Sequence, residues 1–295
     1  VSYDAVGSGG GREQFIAGTT LFAGSDSALK ADEITSATDR CFGATPIELP
    51  LYVSPIAVIF NLEGIDSLNM SADTIAGIFA GEITKWNDPA IADAHPDVEL
   101  PDLDIVPVNR ADKSGTTANF TDYLEKAAPD VWPYEASDIW PIEGTQSGDQ
   151  TSGLISVVEG ANGTIGYADA SRAGDLGTVA VGVGDEFVPY SPEAAAKIIE
   201  VSTPAETAAD TLLAYDLARD TTEAGTYPIV LVAYTIACSQ YDNEEDAANV
   251  RAYLTYIASE EGQAVAAQPD VAGSAPISDG LREQVMTIVD AISAN

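Results

Sequence analysis

The amino-acid sequence predicts an α/β fold. Three observations carry that reading. Short apolar runs alternate with helix-compatible segments along the chain. Glycine- and serine-rich turns stand where a strand-like run hands over to a helical one. The 295 residues, 45% of them hydrophobic, suffice for one large or two medium domains with real cores.

In order, Val1–Val6 reads as a short strand, Gly11–Ala17 as a helix, Leu21–Ala23 as an apolar run, Asp32–Ala37 as a helix and Ile47–Leu62 as a long apolar run. Residues 71–95 carry helical periodicity, with Ile75, Ile78 and Phe79 on one core-facing side. Pro89, Pro96 and Pro101 punctuate a loop before a buried strand at Ile105–Val108, and a helical pattern then runs through Leu124. Residues 125–150 are rich in proline, tryptophan and polar turn residues. The cluster Gly144–Gly153 leads into a helix at Leu154–Val158, either as a plain helix cap or as a source of further N–H donors. Gly163–Ala168 reads as a strand and 173–226 as a peripheral region with two polar helices. The strand Tyr227–Ala237 and helices at 245–259 and 278–293 close the chain.

Two handover turns share a chemistry. In VNRADKSGTTANF, from Val108 to Phe120, Ser114, Gly115 and Thr116 fall where a helix leaves its first N–H groups unpaired. Those groups and the positive end of the helix dipole suit an anion. Arg110 adds a fork of donors that fits oxyanions, and Asp112 is near enough to hold that fork in place. In YDAVGSGGGREQF, from Tyr3 to Phe15, Ser8 lies among Gly7, Gly9, Gly10 and Gly11, which let backbone approach a ligand closely. Further on, Asp26 stands between Ser25 and Ser27 at the end of an apolar run. Its alternative role is to cap the helix that follows.

Composition narrows the function classes. With 47 acidic against 12 basic residues the net charge is −35, which excludes a general nucleic-acid or anionic-membrane binder and also fits a halophilic source. No apolar run reaches the about 18 residues a membrane-spanning helix needs. His95, the single histidine, lies in the turn-like DAHPD and reads as a surface residue, so a Ser–His–Asp triad has no good base. One histidine and two distant cysteines leave no metal site of the zinc type, and no cofactor is expected. Lys113-Ser114 lacks the glycines of a nucleotide-binding P-loop, and Arg12 replaces the third glycine of a GxGxxG motif. Cys41 and Cys238 are either two buried thiols or one disulfide.

Gly7-Ser8-Gly9-Gly10, Gly24-Ser25-Asp26 and Arg110-Ala111-Asp112-Lys113-Ser114-Gly115-Thr116 occur in an order and spacing that resembles the phosphate-binding proteins of phosphate ABC transporters, the PstS type. The likeness continues through Gly81–Asp88, Gly163–Tyr167 and Tyr227–Val230 and covers nearly the whole chain. It implies two α/β lobes of the type II periplasmic-binding-protein architecture, with crossovers near Ser54–Asn61 and Gly225–Ile229. Lobe I would comprise 1–58 and 228–295, and lobe II 59–227. The family opens with one more strand, a Thr- or Ser-bearing turn and a helix, and this chain starts at what resembles the family's second strand. The resemblance favours the Cys41–Cys238 disulfide, because both positions fall in one lobe.

The resemblance further implies an extracytoplasmic monomer, periplasmic or cell-surface, with or without a lipid anchor. Such a protein captures inorganic phosphate in the cleft between its lobes, delivers it to an ABC permease and is not an enzyme. Ser8, Asp26, Arg110, Ser114, Gly115 and Thr116 would hold the anion, supported by Gly7, Gly9, Ser25 and Asp112. A carboxylate at Asp26 makes sense where the ligand carries a proton: ionised aspartate only accepts, and protonated phosphate donates where sulfate does not. A receptor for a sulfate-like oxyanion, a surface phosphoesterase and a sensory surface protein are the alternatives.

Overall fold

The computed structural model describes residues 1–207, 209–268 and 271–295. Its first elements are α1 (Gly7–Ile16), β1 (Phe22–Ser25), α2 (Ala31–Arg40), the long β2 (Pro46–Asn61), β3 (Ser67–Met70), α3 (Ala72–Ala80) and the short α4 (Pro89–Ala92). Then come β4 (Val106–Arg110), α5 (Gly115–Ala127), β5 (Gln146–Gly148), α6 (Gln150–Glu159), β6 (Thr164–Asp169), β7 (Gly177–Val183), β8 (Glu186–Val188) and α7 (Pro192–Val201). The chain ends with β9 (Thr203–Pro204), β10 (Tyr215–Asp216), β11 (Val230–Cys238), β12 (Gln240–Tyr241), α8 (Glu244–Ala258), α9 (Glu260–Ala266), β13 (Ala275–Pro276), α10 (Asp279–Asp290) and β14 (Ser293–Ala294). The fold is α/β, in two units.

The first unit comprises Val1–Ser54, Ser202–Asp216 and Val232–Asn295. Here β1 runs antiparallel to β11, Phe22 opposite Ala237 and Ser25 opposite Tyr234, and β13 pairs antiparallel with β2. In α10 the buried residues Leu281, Val285 and Val289 recur every four positions, which makes one apolar stripe. That stripe joins Phe15, Leu49, Leu51, Ile236 and Leu254 in one core. A disulfide joins Cys41, just past α2, to Cys238 at the end of β11, with Cα atoms 5.4 Å apart.

The second unit comprises Pro55–Val201 and Leu217–Leu231. The later half of β2 runs antiparallel to β6, from Ile56 opposite Asp169 to Asn61 opposite Thr164. Strand β4 lies parallel to both β6 and β5, and β7 pairs with β2, β3 and β8. Residues 55–60 of β2 are all buried, so the strand reads as an unbroken apolar run rather than an alternating one. Phe79, Phe120, Trp132, Trp140 and Tyr167 form an aromatic cluster beneath α5, with the Phe120 and Tyr167 ring centroids 4.4 Å apart.

Four sequence expectations are corrected. Val1–Val6 is not a strand: Val1 and Tyr3 are exposed, and the first element is α1, which begins at Gly7 rather than Gly11. The periodic stretch 71–95 is two helices, because Gly81 stops α3 in the left-handed conformation at φ +80°. Among the described residues, 173–226 hold one helix, α7; Val179, Val181 and Val183 are buried on β7, where β-branched residues pair with β3 and β8. His95 is buried, its Nε2 accepting from the Asn69 N–H at 2.7 Å and its Nδ1 lying 2.8 Å from the Ile91 carbonyl. The acidic run at Asp242–Asp246 opens α8, capped by Asn243, which accepts from the Asp246 N–H.

Candidate functional site

In the first unit the site is built on α1. Gly7 has φ +75°, a conformation that side-chain-bearing residues rarely adopt, so the helix can begin abruptly there. Ser8 and Gly9 follow, both buried. Ser8 Oγ accepts the Asp26 N–H at 3.0 Å and donates toward Asp26 Oδ2 at 3.4 Å, which brings the two together. A Cβ on Gly11 would lie 2.9 Å from the Gly24 carbonyl, so glycine is what lets α1 lie against β1. Ser25 donates to the Ser27 carbonyl at 2.6 Å and closes the turn around Asp26. Asp26 does not cap the next helix: α2 starts at Ala31, and Glu33 accepts the Lys30 N–H at its head.

In the second unit β4 ends on Arg110, and α5 starts at Gly115. Ser114 caps α5 by accepting the Thr117 N–H at 3.2 Å, and its own N–H donates to the Asp138 carbonyl at 2.8 Å. Asp112 receives Arg110 two-handed, Nε to Oδ1 at 2.8 Å and Nη2 to Oδ2 at 2.6 Å. Arg110 Nη1 is held more loosely, 3.4 Å from Thr151 Oγ1. Burial pushes the Asp112 carboxyl up, but the Arg110 hydrogen bonds, the Gln150 N–H and the Arg110 charge outweigh it and hold the group below the ordinary carboxylate range.

Further residues prepare this set. Gln150 stands at the head of α6 with φ +57° and points its N–H to Asp112 Oδ1 at 3.0 Å. A Cβ on Gly148 would fall 2.2 Å from the Leu154 nitrogen, so only glycine admits α6 this close to β5. Tyr167 OH accepts the Arg110 N–H at 3.4 Å and pairs with Thr117 Oγ1 at 2.8 Å; burial pushes its hydroxyl up to about 12. From α5, Asn119 donates to the Gly115 carbonyl at 2.8 Å and accepts from the buried Arg219. The sequence carried signals for Gln150, Thr151 and Tyr167 in the Gly144–Gly153 and Gly163–Tyr167 motifs. It carried none for Asn119 or Arg219.

Among the described helices of seven or more residues, α2, α3, α7, α8, α9 and α10 carry Asp or Glu in the first turn. In α1, α5 and α6 the first turn has none. In a chain with 47 acidic residues, the first turns of these three helices hold none, and the carboxylates beside them, Asp26 at Ser8 and Asp112 at Gln150, belong to the candidate set, with Asp149 at the N-cap of α6. Ser8, Gly115, Thr116, Thr151 and Arg110 are grouped at those starts.

The model of the PBP superfamily domain matches residues 1–261. Phosphate-binding protein PstS 3 of Mycobacterium tuberculosis (strain ATCC 25618 / H37Rv) is 34% identical over 300 residues, covering 99% of this chain and 79% of that protein. Phosphate-binding protein PstS 2 of the same strain is 31% identical over 299 residues, covering 99% and 80%. The chain belongs to the PstS-type phosphate-binding proteins. Two solved structures show the same fold. One is the periplasmic phosphate-binding protein PfluDING bound with phosphate, with TM-score 0.76, 22% identity and coverage of 96% of this chain and 85% of that one. The other is a human phosphate binding apolipoprotein, with TM-score 0.74, 23% identity and coverage of 96% and 86%. Among the described residues no helix is long and apolar enough to cross a membrane. The expected PstS site residues fall into two sets, Gly7, Ser8, Gly9, Ser25 and Asp26 in the first unit and Arg110, Asp112, Ser114, Gly115 and Thr116 in the second.

Proposed function

We propose that this protein is an extracytoplasmic receptor that captures inorganic phosphate and delivers it to the permease of an ABC transporter, as a monomer and without chemistry of its own. Ser8 and Asp26 from one unit and Arg110, Ser114, Gly115 and Thr116 from the other serve one anion. Gly7 and Gly9 shape the first helix start, Ser25 the turn that carries Asp26, and Asp112 the Arg110 fork. Ligand favours the state in which both sets engage it, because only that state completes the donors. A lipid anchor in the full-length protein is compatible with this role.

The observation that carries the proposal is the acid-free first turn of α1, α5 and α6 in so acidic a chain, with Arg110 beside two of them. Asp26 favours a protonated oxyanion over a sulfate-like one. Titration calorimetry with inorganic phosphate is the test. Arg110→Ala should keep the fold and weaken binding by on the order of 30- to 5,000-fold, the loss of a charge-assisted contact worth about 2–5 kcal/mol. An unchanged affinity removes Arg110 from the site.

A further inference from the structure

Arg12 takes no part in the ligand set above, yet only 1% of it is exposed. It stands four residues after Ser8 on α1, and so on the same helical face. Its Nη1 donates to Ser25 Oγ at 3.0 Å and to Ser27 Oγ at 2.8 Å, the hydroxyls on either side of Asp26. Its Nε donates to Glu33 Oε1 on α2 at 2.9 Å, which fixes the plane of the guanidinium and balances its charge. The Ser8 contact to the Asp26 carboxylate, at 3.4 Å, is long for a hydrogen bond between oxygens and fixes its direction weakly. The turn that carries Asp26 is held at both of its flanking serines by Arg12. A buried ion pair needed only for packing is often replaceable by apolar residues at no loss of stability. The two-serine clasp gives Arg12 a geometric task that apolar residues cannot perform.

We propose that Arg12 is the positioning residue for the Asp26 acceptor. By clamping Ser25 and Ser27 it aims the carboxylate at the proton that a bound phosphate carries, and so sets the preference for protonated over unprotonated oxyanions. The inference rests on the phosphate reading above. Misdirection of the acceptor penalises the ligand that donates to it and leaves untouched, or relieves, the ligand that does not.

The test is calorimetric titration of the full chain with inorganic phosphate and with sulfate at fixed ionic strength, in wild type, Arg12→Gln and Arg12→Lys. Near-ultraviolet circular dichroism and melting report the fold. The phosphate-to-sulfate affinity ratio should fall by at least about tenfold in Arg12→Gln. It should fall by less in Arg12→Lys, whose single ammonium cannot hold both serines and Glu33 in a fixed fork. Should the Arg12 variants not fold, the Ser25→Ala/Ser27→Ala double variant keeps the arginine, removes the clasp and must lower the same ratio. A folded variant with an unchanged ratio, or with equal loss for both anions, overturns the assignment and reduces Arg12 to a structural residue. Wild type that does not bind phosphate overturns the underlying reading instead, so the two failures are distinct.

Discussion

Replacing Glu48 by glutamine should flatten the pH dependence of stability. Glu48 lies on β2 with 1% of its surface exposed, and its Oε1 accepts the Leu29 N–H at 2.6 Å. Burial raises its carboxyl from 4.5 to about 7; the Leu29 N–H and the Arg12 charge offset part of that rise, and Glu33 adds to it. A raised carboxyl pKa means that the unfolded chain binds fewer protons than the native one between these values. Wild type is therefore fully stable below 4.5 on this account and loses stability as pH climbs toward 7, by about 3 kcal/mol in all. The glutamine side chain still offers an oxygen to the Leu29 N–H and has no proton to lose. Thermal unfolding at pH 5, 6, 7 and 8 in phosphate-free buffer should show the two proteins nearly level at the acid end. The variant should gain by roughly 6–12 °C in Tm at the basic end, less whatever the lost attraction to Arg12 costs. Parallel curves for the two proteins would refute the reasoning and place Glu48 ionised in the native state throughout.

Two further outcomes follow. The Cys41–Cys238 bridge joins residues 197 positions apart, for which the chain-entropy model gives roughly 5 kcal/mol as an upper value; reduction should lower Tm, and thiol titration of the unreduced, denatured protein should find no free thiol. Asp26→Asn should cut the phosphate preference over sulfate by at least about tenfold, or roughly 1.4 kcal/mol, and a ratio that stays put moves the selectivity elsewhere.

The sequence was legible where local chemistry and pattern agree. The strand ending on Arg110, the Ser114 cap and the start of α5 are all local consequences of VNRADKSGTTANF. The second half of β2 was legible as an apolar run because a strand buried on both faces needs no alternation. Failures came where a distant partner decides. Val1–Val6 has strand-like composition, but no pairing makes it one. β7 is a strand because β3 lies beside it, with Ser67 opposite Thr178 and Met70 opposite Val181, a separation no local window spans. His95 looked like a surface residue because nothing in DAHPD announces the Asn69 N–H that its ring accepts. The ligand candidates were readable from motifs; the roles of Arg12, Asn119 and Arg219 depend on contacts 13 to 100 positions apart in sequence.

The chain's charge of −35 poses the physical problem that this arrangement solves. A field of that sign opposes any anion, but screening confines it to roughly 8 Å at physiological salt. Within that distance the decisive charges are those at the helix starts, and in the first turns of α1, α5 and α6 the sequence places serine, threonine, glycine and glutamine where the other described helices of seven or more residues carry Asp or Glu. Arg110 does not tip the balance by net charge, because Asp112 takes two of its nitrogens and cancels it. What the pair supplies is direction: a guanidinium whose plane is fixed before the ligand arrives, with Nη1 only loosely held. On the proposed reading, recognition rests on aimed donors, Arg110 and the first N–H groups of α1 and α5, and on one aimed acceptor, Asp26. Such a site needs no positive surface around it, and a surface this acidic can coexist with anion binding because the two act over different distances.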